Sequence, residues 1–589
     1  MPKPTPDDRR RLEWWEEEQL RRQGCTATDW ALVRVAPGTD LELIREVEFI
    51  GNNSIGNLDR ERTPGCGLYR LTAKECTFGD DVRVRNIGGR LRRCRIGDRA
   101  VIENCARIEF HREAACGRGT MVNVLDETGS RPVMIYPGLT AQSAAIMARL
   151  PRKAEEDIIP QTETYLEKTS VPPVIGEDSV IRDCGAIVDV AVGREVHIEG
   201  ARSLKNGSIV NNAPSGRCLA YIGSGVDAEN FILEDGRLDA GCIIRNCYIG
   251  QGASIEKGYT AHDSLFFANA ALENGEACAL FAGPYTVSMH KGTLLIGCQT
   301  SFMNAGSSTN QSNHMYKLGP VHWGVLERGV KTSSNSYLML GANIGAFSLL
   351  MGQHKTHPDS TEFPFSYLFG DARGATVVVP AVMLRSCGLL RDEKKWPTRD
   401  KRVKARVPLH DRVNFEVLNP YTIARVLKAM EIIRGLLQRP ADDDLYLRYK
   451  GMKISRASLD RAQRLYTLAL YKYLSTKISE DKPLPDMTVG DAEKSAGIWV
   501  DLAGQLMPRP LLDAAVGADS VPAREAILDD AFAHYEALER EWIAAAVPAQ
   551  YLADREAIKA GAAEFDALVE ADRTDYRDNL SAEWRMLSL

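Results

Sequence analysis

The side chains best suited to chemistry gather in one stretch of the sequence. Six of the ten histidines fall within residues 262–357, among many amides, hydroxyls and a few charges. An imidazole titrates near neutral pH and can take a proton from an attacking hydroxyl or amine. Amide side chains can then stabilise the negative charge that develops on an oxygen. The histidines are His262, His290, His314, His322, His354 and His357.

Within this stretch we expect one general base and a polar substrate site. The first choice of base is His314, in SNHMYK, and the second is His290, in SMHKG. One imidazole usually suffices as base, and the alternative for either histidine is a hydrogen bond within a chain corner. The residues expected to bind substrate are Asn304, Asn310, Asn313, Lys317, Arg328 and Lys331.

A metal site is the competing interpretation of the histidines. His354, His357 and Asp359 place two imidazoles and a carboxylate within six residues, and these are ligand types for zinc or iron. The alternative is a solvent loop in which Pro358 stops regular structure. Since the spacing fixes no third histidine, we assign no metal residue, and a divalent metal is the less favoured cofactor.

Composition and absent motifs exclude several classes of protein. The 73 Lys and Arg against 79 Asp and Glu give a net charge of −6, so no basic field favours nucleic acid or an anionic membrane. The 13 scattered cysteines contain no CxxC pair, and neither phosphate-binding glycine motif is present. With no signal peptide or long apolar run, we expect a soluble cytoplasmic protein without nucleic-acid or membrane partners.

Aliphatic residues recur every six positions through the first half of the chain. A helix would place residues six apart on different faces, and a flat strand would alternate every two. The spacing therefore predicts a triangular prism of short strands, about eighteen residues per coil, with the aliphatics stacked inside. The runs are Ile96, Ile102 and Ile108; Ile175, Ile181 and Ile187; Val192, Ile198 and Leu204; and Ile243, Ile249 and Ile255.

These hexads resemble those of left-handed parallel β-helix proteins, the hexapeptide-repeat acyltransferases and their relatives, over parts of residues 47–300. The whole chain further resembles an uncharacterised bacterial β-helix family known only as a domain of unknown function. That likeness lies in GPYTVSMHKGTLLIG, NAGSSTNQSNHMYKLGPVHWG and MGQHKTHPDSTEFPFSYL. The hexapeptide resemblance implies acyl transfer, with a coenzyme A thioester as donor, and packing as homotrimers. β-Helix carbonic anhydrases are also similar, but their close histidine pair is HxxxxH, whereas this chain has HxxH.

The periodicity changes at both ends of the hexads. We predict an N-terminal helical segment at 1–46, a left-handed β-helix at 47–412 with a helical excursion at about 117–172, and an α-helical domain at 413–589. The basic run 391–407 is expected to be a solvated linker. The helical domain rests on a stripe at helical spacing: Ile423, Val426, Leu427, Met430, Ile433, Leu436 and Leu437.

Taken with the resemblance, the polar stretch predicts an acyltransferase-like enzyme acting on a sugar or amino sugar. Its general base would be His314, in a polar cleft between coils. Two alternatives stay open: a metal-dependent lyase or hydratase on the same scaffold, and a non-catalytic carbohydrate-binding protein. The expected partners are a small sugar-like substrate and further copies of the chain, most simply as a trimer.

Overall fold

Parallel pairing of short strands organises most of the chain. The computed structural model describes residues 9–169, 172–313, 322–439, 446–479 and 483–587. One sheet contains 35 strands, most of them paired in parallel with strands further along the chain, and a five-stranded sheet joins N-terminal strands. Antiparallel pairs occur at the end of the large sheet and in two separate hairpins. The fold is therefore a large mixed sheet with helices.

The strands fall into two length classes. The longest have seven or eight residues: Ile44–Ile50, Gly67–Lys74, Ala186–Val192, Ser203–Val210, Asp227–Glu234, Ile243–Ile249 and Thr260–Phe266. Short strands before residue 240 are Arg10–Arg11, Thr26–Ala27, Val33–Val35, Asn53–Ile55, Thr77–Phe78, Arg83–Arg85, Leu91–Arg92, Arg95–Ile96, Val101–Glu103, Arg107–Glu109, Thr120–Asn123, Pro132–Ile135, Val180–Arg182, His197–Glu199, Tyr221–Ile222 and Arg237–Leu238. Those after it are Ser254–Glu256, Ala271–Glu273, Glu276–Cys278, Phe281–Ala282, Val287–Ser288, Leu294–Ile296, Cys298–Thr300, Asn304–Ala305, Asn310–Ser312, Gly324–Leu326, Lys331–Thr332, Tyr337–Met339, Asn343–Ile344, Leu349–Met351, Gln353–His354, Tyr367–Gly370, Thr376–Val379, Tyr446–Tyr449, Met452–Ser455, Trp499–Leu502 and Gln505–Pro508.

Helices occur near the N-terminus, in one excursion from the sheet, and throughout the C-terminal third. The principal ones are α1 (Trp14–Arg22), α2 (Ala141–Arg149), α3 (Ile159–Lys168), α4 (Cys387–Thr398), α5 (Lys401–Ala405), α6 (Pro420–Leu437), α7 (Arg456–Lys477), α8 (Val489–Ser495), α9 (Arg509–Val516), α10 (Val521–Ala533), α11 (Tyr535–Ala546) and α12 (Arg555–Leu587). Short helical turns are Trp30–Leu32, Leu41–Leu43, Pro151–Lys153, Ala154–Ile158, Val382–Arg385 and Ala549–Leu552.

Aliphatic side chains stack in register across the parallel strands. Ile181 lies opposite both Ile102 and Ile198, and Ile108 lies opposite Ile187. Each such side chain is fully or almost fully buried, which contributes about 1.5–3 kcal/mol relative to an exposed one. The expected inward direction of the first two isoleucine runs is confirmed, since all six of their side chains are buried.

At one position the six-residue spacing predicts the wrong residue to face the interior. The run containing Ile243 predicts it inside, but its side chain is 39% exposed and its neighbour Ile244 is buried. Alternation along the strand Ile243–Ile249 explains the difference, because successive side chains point to opposite faces. The inward residues on this strand are Ile244, Cys247 and Ile249, because the left-handed conformation of Asn246 interrupts the alternation.

A ladder of amide side chains links the long strands at the position where each strand bends. Asn206, Asn230 and Asn246 adopt left-handed backbone conformations, with φ of 44°, 56° and 52°. Asn and Asp tolerate this region better than other residues with side chains. Asn206 donates to Asn230 over 2.8 Å, Asn230 to Asn246 over 2.9 Å, and Asn246 to Asp263 over 3.1 Å. The same residues thus turn the chain and link neighbouring strands.

The excursion after residue 117 covers one face of the long strands. It contains the hairpin Thr120–Asn123 with Pro132–Ile135, followed by α2 and α3. Its apolar side chains form one core with Tyr248, Phe267 and Phe281 from the strands, and this core extends to the C-terminal hairpin and helices. The excursion therefore joins the sheet to the C-terminal third.

Each predicted segment contains both strands and helices. Residues 1–46 contribute α1 and strands that join the sheets, and residues 413–589 contribute α6–α12 together with hairpins. α6 begins at an Asn419 capping box with Pro420 in its first turn, and it buries most of its predicted apolar stripe. The segment boundaries themselves stay predictions. In the ranges that the structure describes, no helix is long and apolar enough to cross a membrane.

Candidate functional site

The predicted catalytic and substrate residues have different surroundings, as far as the structure describes them. His314 and Lys317 lie outside the described residues. His290 and Asn310 are exposed, whereas Asn313 is buried. Asn304 and Lys331 do lie opposite each other on neighbouring parallel strands, and Lys331 Nζ is 2.5 Å from the Asp392 carboxylate. Arg328 is buried elsewhere, beneath the C-terminal hairpin.

The residues of the competing metal interpretation have separate partners. His354 is fully buried, with Nδ1 2.9 Å from the Thr376 hydroxyl. His357 Nδ1 lies 2.5 Å from the Leu340 carbonyl oxygen, and Asp359 accepts a hydrogen bond from Lys450. Throughout the described part of the chain, no group of three or more His, Cys, Asp or Glu residues could hold a metal ion.

The buried His354 gives the protein an acid-sensitive position. Burial lowers the pKa of His354 to about 4, from about 6.5 in an unfolded chain. The folded state therefore keeps this imidazole neutral while the unfolded state binds a proton, so its contribution is present above pH 6.5 and lost as the pH falls towards 4. We expect His354→Gln, which cannot titrate, to reduce the loss of stability between pH 7 and pH 4.5 in urea unfolding. The control is His290→Gln, at an exposed imidazole; an unchanged pH slope in His354→Gln would contradict the assignment.

Arg328 lines a cavity that lies between the sheet and the C-terminal hairpin and helices. The cavity has a volume of about 290 Å³. Its floor comes from strands Cys298–Thr300 and Gly324–Leu326, and its other walls come from the C-terminal end of α2, from α6 and from residues 498–503. Parallel pairing places the two strands side by side. The charged side chains that line it are Arg149, Glu327, Arg328, Arg425 and Asp501.

The Arg328 guanidinium is buried, and not all of its N–H donors have hydrogen-bond partners among the described residues. Its side chain is 1% exposed, and its Nη2 donates to the carbonyl oxygen of Asn414. Its Nε lies 3.8 Å from Asp501, and the guanidinium carbon lies 5.1 Å from the centre of the Phe302 ring. Neither Nε nor Nη1 has a hydrogen-bond partner among the described residues. Since unsatisfied buried donors of a charged group are costly, this arrangement favours a ligand that would accept from them.

Arg425 and Glu327 form the second charged pair of the cavity. Arg425 Nη2 lies 2.8 Å from Glu327 Oε1 and donates to the Tyr421 hydroxyl over 2.6 Å. The other carboxylate oxygen of Glu327 accepts from the backbone N–H of Ala346. Burial raises the pKa of Glu327, and the charge of Arg425 offsets only part of that effect. Arg425 Nε has no hydrogen-bond partner among the described residues, so a second donor remains beside the cavity.

Arg149 places a third guanidinium at the more open side. It ends α2 and is exposed, and its Nε donates to the Gln299 side-chain oxygen over 2.6 Å. Three arginines thus face two carboxylates, and the Asp501 carboxylate already accepts from the Gly504 N–H. The excess positive charge in this half-open cavity favours an anion.

Of the charged residues that line this cavity, the sequence predicts only Arg328 as a site residue. It gives no signal for Arg149, Arg425 or Asp501. They lie far apart in the sequence, in a helix end, a helix interior and a hairpin. No spacing connects such positions, so only the packing of α2, α6 and the hairpin on the sheet brings them together.

The chain belongs to a family of proteins described as a domain of unknown function, DUF4954, which it matches over residues 9–437. This finding corrects the expected recognition: the predicted membership of the left-handed parallel β-helix, hexapeptide-repeat superfamily is wrong. A related protein, described as uncharacterised, comes from Treponema pallidum (strain Nichols). The two are 24% identical over 453 residues, which cover 72% of this chain and 61% of the relative. The chain thus spans less than two thirds of that relative's length.

Proposed function

We propose that the protein binds a small anion, a carboxylate or phosphoryl group, in the cavity lined by Arg149, Arg328 and Arg425. The observation that carries the proposal is the buried Arg328 guanidinium, whose Nε and Nη1 lack partners among the described residues. A guanidinium presents paired N–H donors in a plane, which match the oxygens of a carboxylate or phosphate. A cation would be repelled here, and a neutral ligand would leave the charge uncompensated.

The energetics of the cavity support an anion of modest size. Hydrogen bonds to a charged group contribute about 1.5–3 kcal/mol each, and more donors than acceptors are free at this site. Arg425 is held by Glu327 and Tyr421, so it keeps its position without a ligand. Arg149 is exposed and can close on a bound group from the open side. Fixed donors of this kind reduce the entropy lost on binding.

Calorimetric titration with inorganic phosphate and with succinate tests the proposal. We expect at least one of them to bind the wild-type protein and to raise its Tm, because a ligand at 100 times its Kd stabilises a fold by about 2.7 kcal/mol. Arg328→Met should reduce the affinity at least tenfold, and circular dichroism should show that the variant is folded, since methionine fills similar space.

Two further variants separate binding from folding. Arg149→Met should also weaken binding, and its exposed position makes misfolding an implausible cause. Arg70→Met is the matched control, because Arg70 is 70% exposed on the sheet and does not line the cavity. The proposal fails when neither anion binds at matched ionic strength, or when Arg328→Met and Arg149→Met bind as tightly as Arg70→Met.

The way in which the parallel strands wind is also a proposal. We infer that the parallel strands wind as a left-handed β-helix, supported by three sets of stacked aliphatics and the asparagines with positive φ at corners.

The acyltransferase acting on a sugar or amino sugar stays a prediction, as do the coenzyme A donor and the trimer. An anion site is compatible with it, since a phosphorylated donor or acceptor would also need arginines.

A further inference from the structure

The anion cavity adjoins a larger apolar groove. This groove has a volume of about 650 Å³ and runs between α6, residues 496–499, and the end of α11 with the turn after it. Both spaces are lined by Tyr421, Arg425, Ile498 and Trp499. The two spaces therefore meet at these four residues, with Arg149 and Arg328 on the side of the cavity.

The walls of the groove are mostly apolar, and its charges lie at the edges. Leu427 and Met430 line it from α6, and Trp542 lines it from α11. Lys428, Glu431 and Arg434, which also border it, are exposed. A groove of this size, with an apolar lining and convergent polar groups at one end, has the usual character of a small-molecule site.

Ile498 marks the junction of the two spaces. Its side chain is 74% exposed, although it is a large aliphatic residue next to the almost fully buried Trp499. Trp499 Nε1 is buried and has no hydrogen-bond partner among the described residues. A ligand that passes from one space to the other would cover this side chain and remove its apolar surface from water. A purely anionic ligand held by the arginines would leave Ile498 in water.

We infer that the natural ligand is amphipathic: an anionic head, carboxylate or phosphate, that carries an unbranched apolar chain of the kind found in fatty acids. The head lies at Arg328 and Arg425, and the chain passes Ile498 into the groove beside Leu427 and Trp542. This inference rests on the proposed function and adds the apolar part of the ligand. Charge complementarity fixes the direction, because the buried arginines lie at one end and apolar side chains at the other.

A chain-length series tests this inference. The probes are butanoate, hexanoate and octanoate, with octyl phosphate beside inorganic phosphate, all below the concentrations at which they form micelles. Burying one methylene is worth about fourfold in affinity. Because the groove is open to solvent along one side, we expect octanoate to bind at least tenfold more tightly than butanoate.

Substitutions then test where the apolar chain of the ligand lies. Ile498→Asn should remove most of the chain-length effect, so that octanoate and butanoate bind with similar affinity, whereas Arg328→Met should weaken every probe. Leu409→Asn is the matched control, because Leu409 is 54% exposed and lines neither space.

The outcomes separate the inference from the proposed function. Binding that depends on Arg328 but gains nothing from chain length overturns the inference and leaves the anion site standing. No binding by any head group overturns both. Octanoate binding that neither Ile498→Asn nor Arg328→Met changes is adsorption elsewhere, and it also overturns the inference.

Discussion

Asp400→Ala is expected to lower the free energy of unfolding by about 3–5 kcal/mol. Asp400 and Arg402 form an ion pair in which both side chains are almost fully buried, 3% and 2% exposed. Asp400 also accepts from the Asn269 side chain over 2.9 Å and from the backbone N–H of Arg402 at the start of α5. Its removal leaves a guanidinium buried without its partner and releases the contact between sheet and helix.

The pKa of Asp400 indicates how strongly this pair holds the ionised form. Burial alone would raise that pKa, but the hydrogen bond and charge of Arg402 bring it below its usual value. Asp400 therefore contributes stability that is present above the pKa of an unfolded aspartate and is lost as the pH falls through the lower folded value. Urea unfolding of wild type and Asp400→Ala should accordingly converge as the pH is lowered.

Two comparisons isolate the buried pair. Glu46→Ala removes an exposed partner of Arg70, where both side chains are at least 60% exposed, and should cost less than about 1 kcal/mol. Asp400→Ala combined with Arg402→Met should recover part of the loss, because no unpaired charge then remains buried. If Asp400→Ala and Glu46→Ala lower the free energy of unfolding by the same small amount, the buried pair does not stabilise the fold as argued.

This pair also shows where the sequence misleads. The run 391–407 reads as a solvated basic linker, yet it forms α4 and α5, and Arg402 is buried in it. Composition cannot distinguish a basic residue in water from one paired inside the protein. Here the difference depends on Asn269 and Asp411, which lie on other segments and contact the pair.

The stacked aliphatics could be predicted because their signal is local. Six-residue spacing places Ile102 and Ile181 inside, and both are fully buried. The stripe on α6 was visible for the same reason, since Ile423 and Val426 lie on one helical face. Local periodicity thus identifies which side of an element faces the interior.

The candidate site could not be predicted in the same way. The polar stretch around His290 predicts a single cleft, and that prediction stays untested because His314 and Lys317 lie outside the described residues. The cavity instead combines residues from α2, two strands, α6 and a hairpin, and no local pattern records such packing. The family membership gives no further help, because the family itself is described only as a domain of unknown function.

Ile181→Ala is expected to destabilise the sheet by about 2–5 kcal/mol. Ile181 is fully buried and lies in register between Ile102 and Ile198 on the neighbouring strands. Truncation removes its own burial and leaves a cavity that the two neighbours can fill only by moving a strand. Since parallel pairing fixes the strands on both sides, little relaxation is available.

The matched control is Ile243→Ala, at a position that the six-residue spacing also assigns to the interior. The structure instead places Ile243 39% exposed and buries Ile244. Ile243→Ala should therefore change the free energy of unfolding by about 0.5 kcal/mol or less, while Ile244→Ala should resemble Ile181→Ala. Urea unfolding, followed by circular dichroism of the strands, measures all three. A large loss in Ile243→Ala with a small one in Ile244→Ala would mean that this strand is shifted by one residue, because a one-residue slip exchanges the two faces.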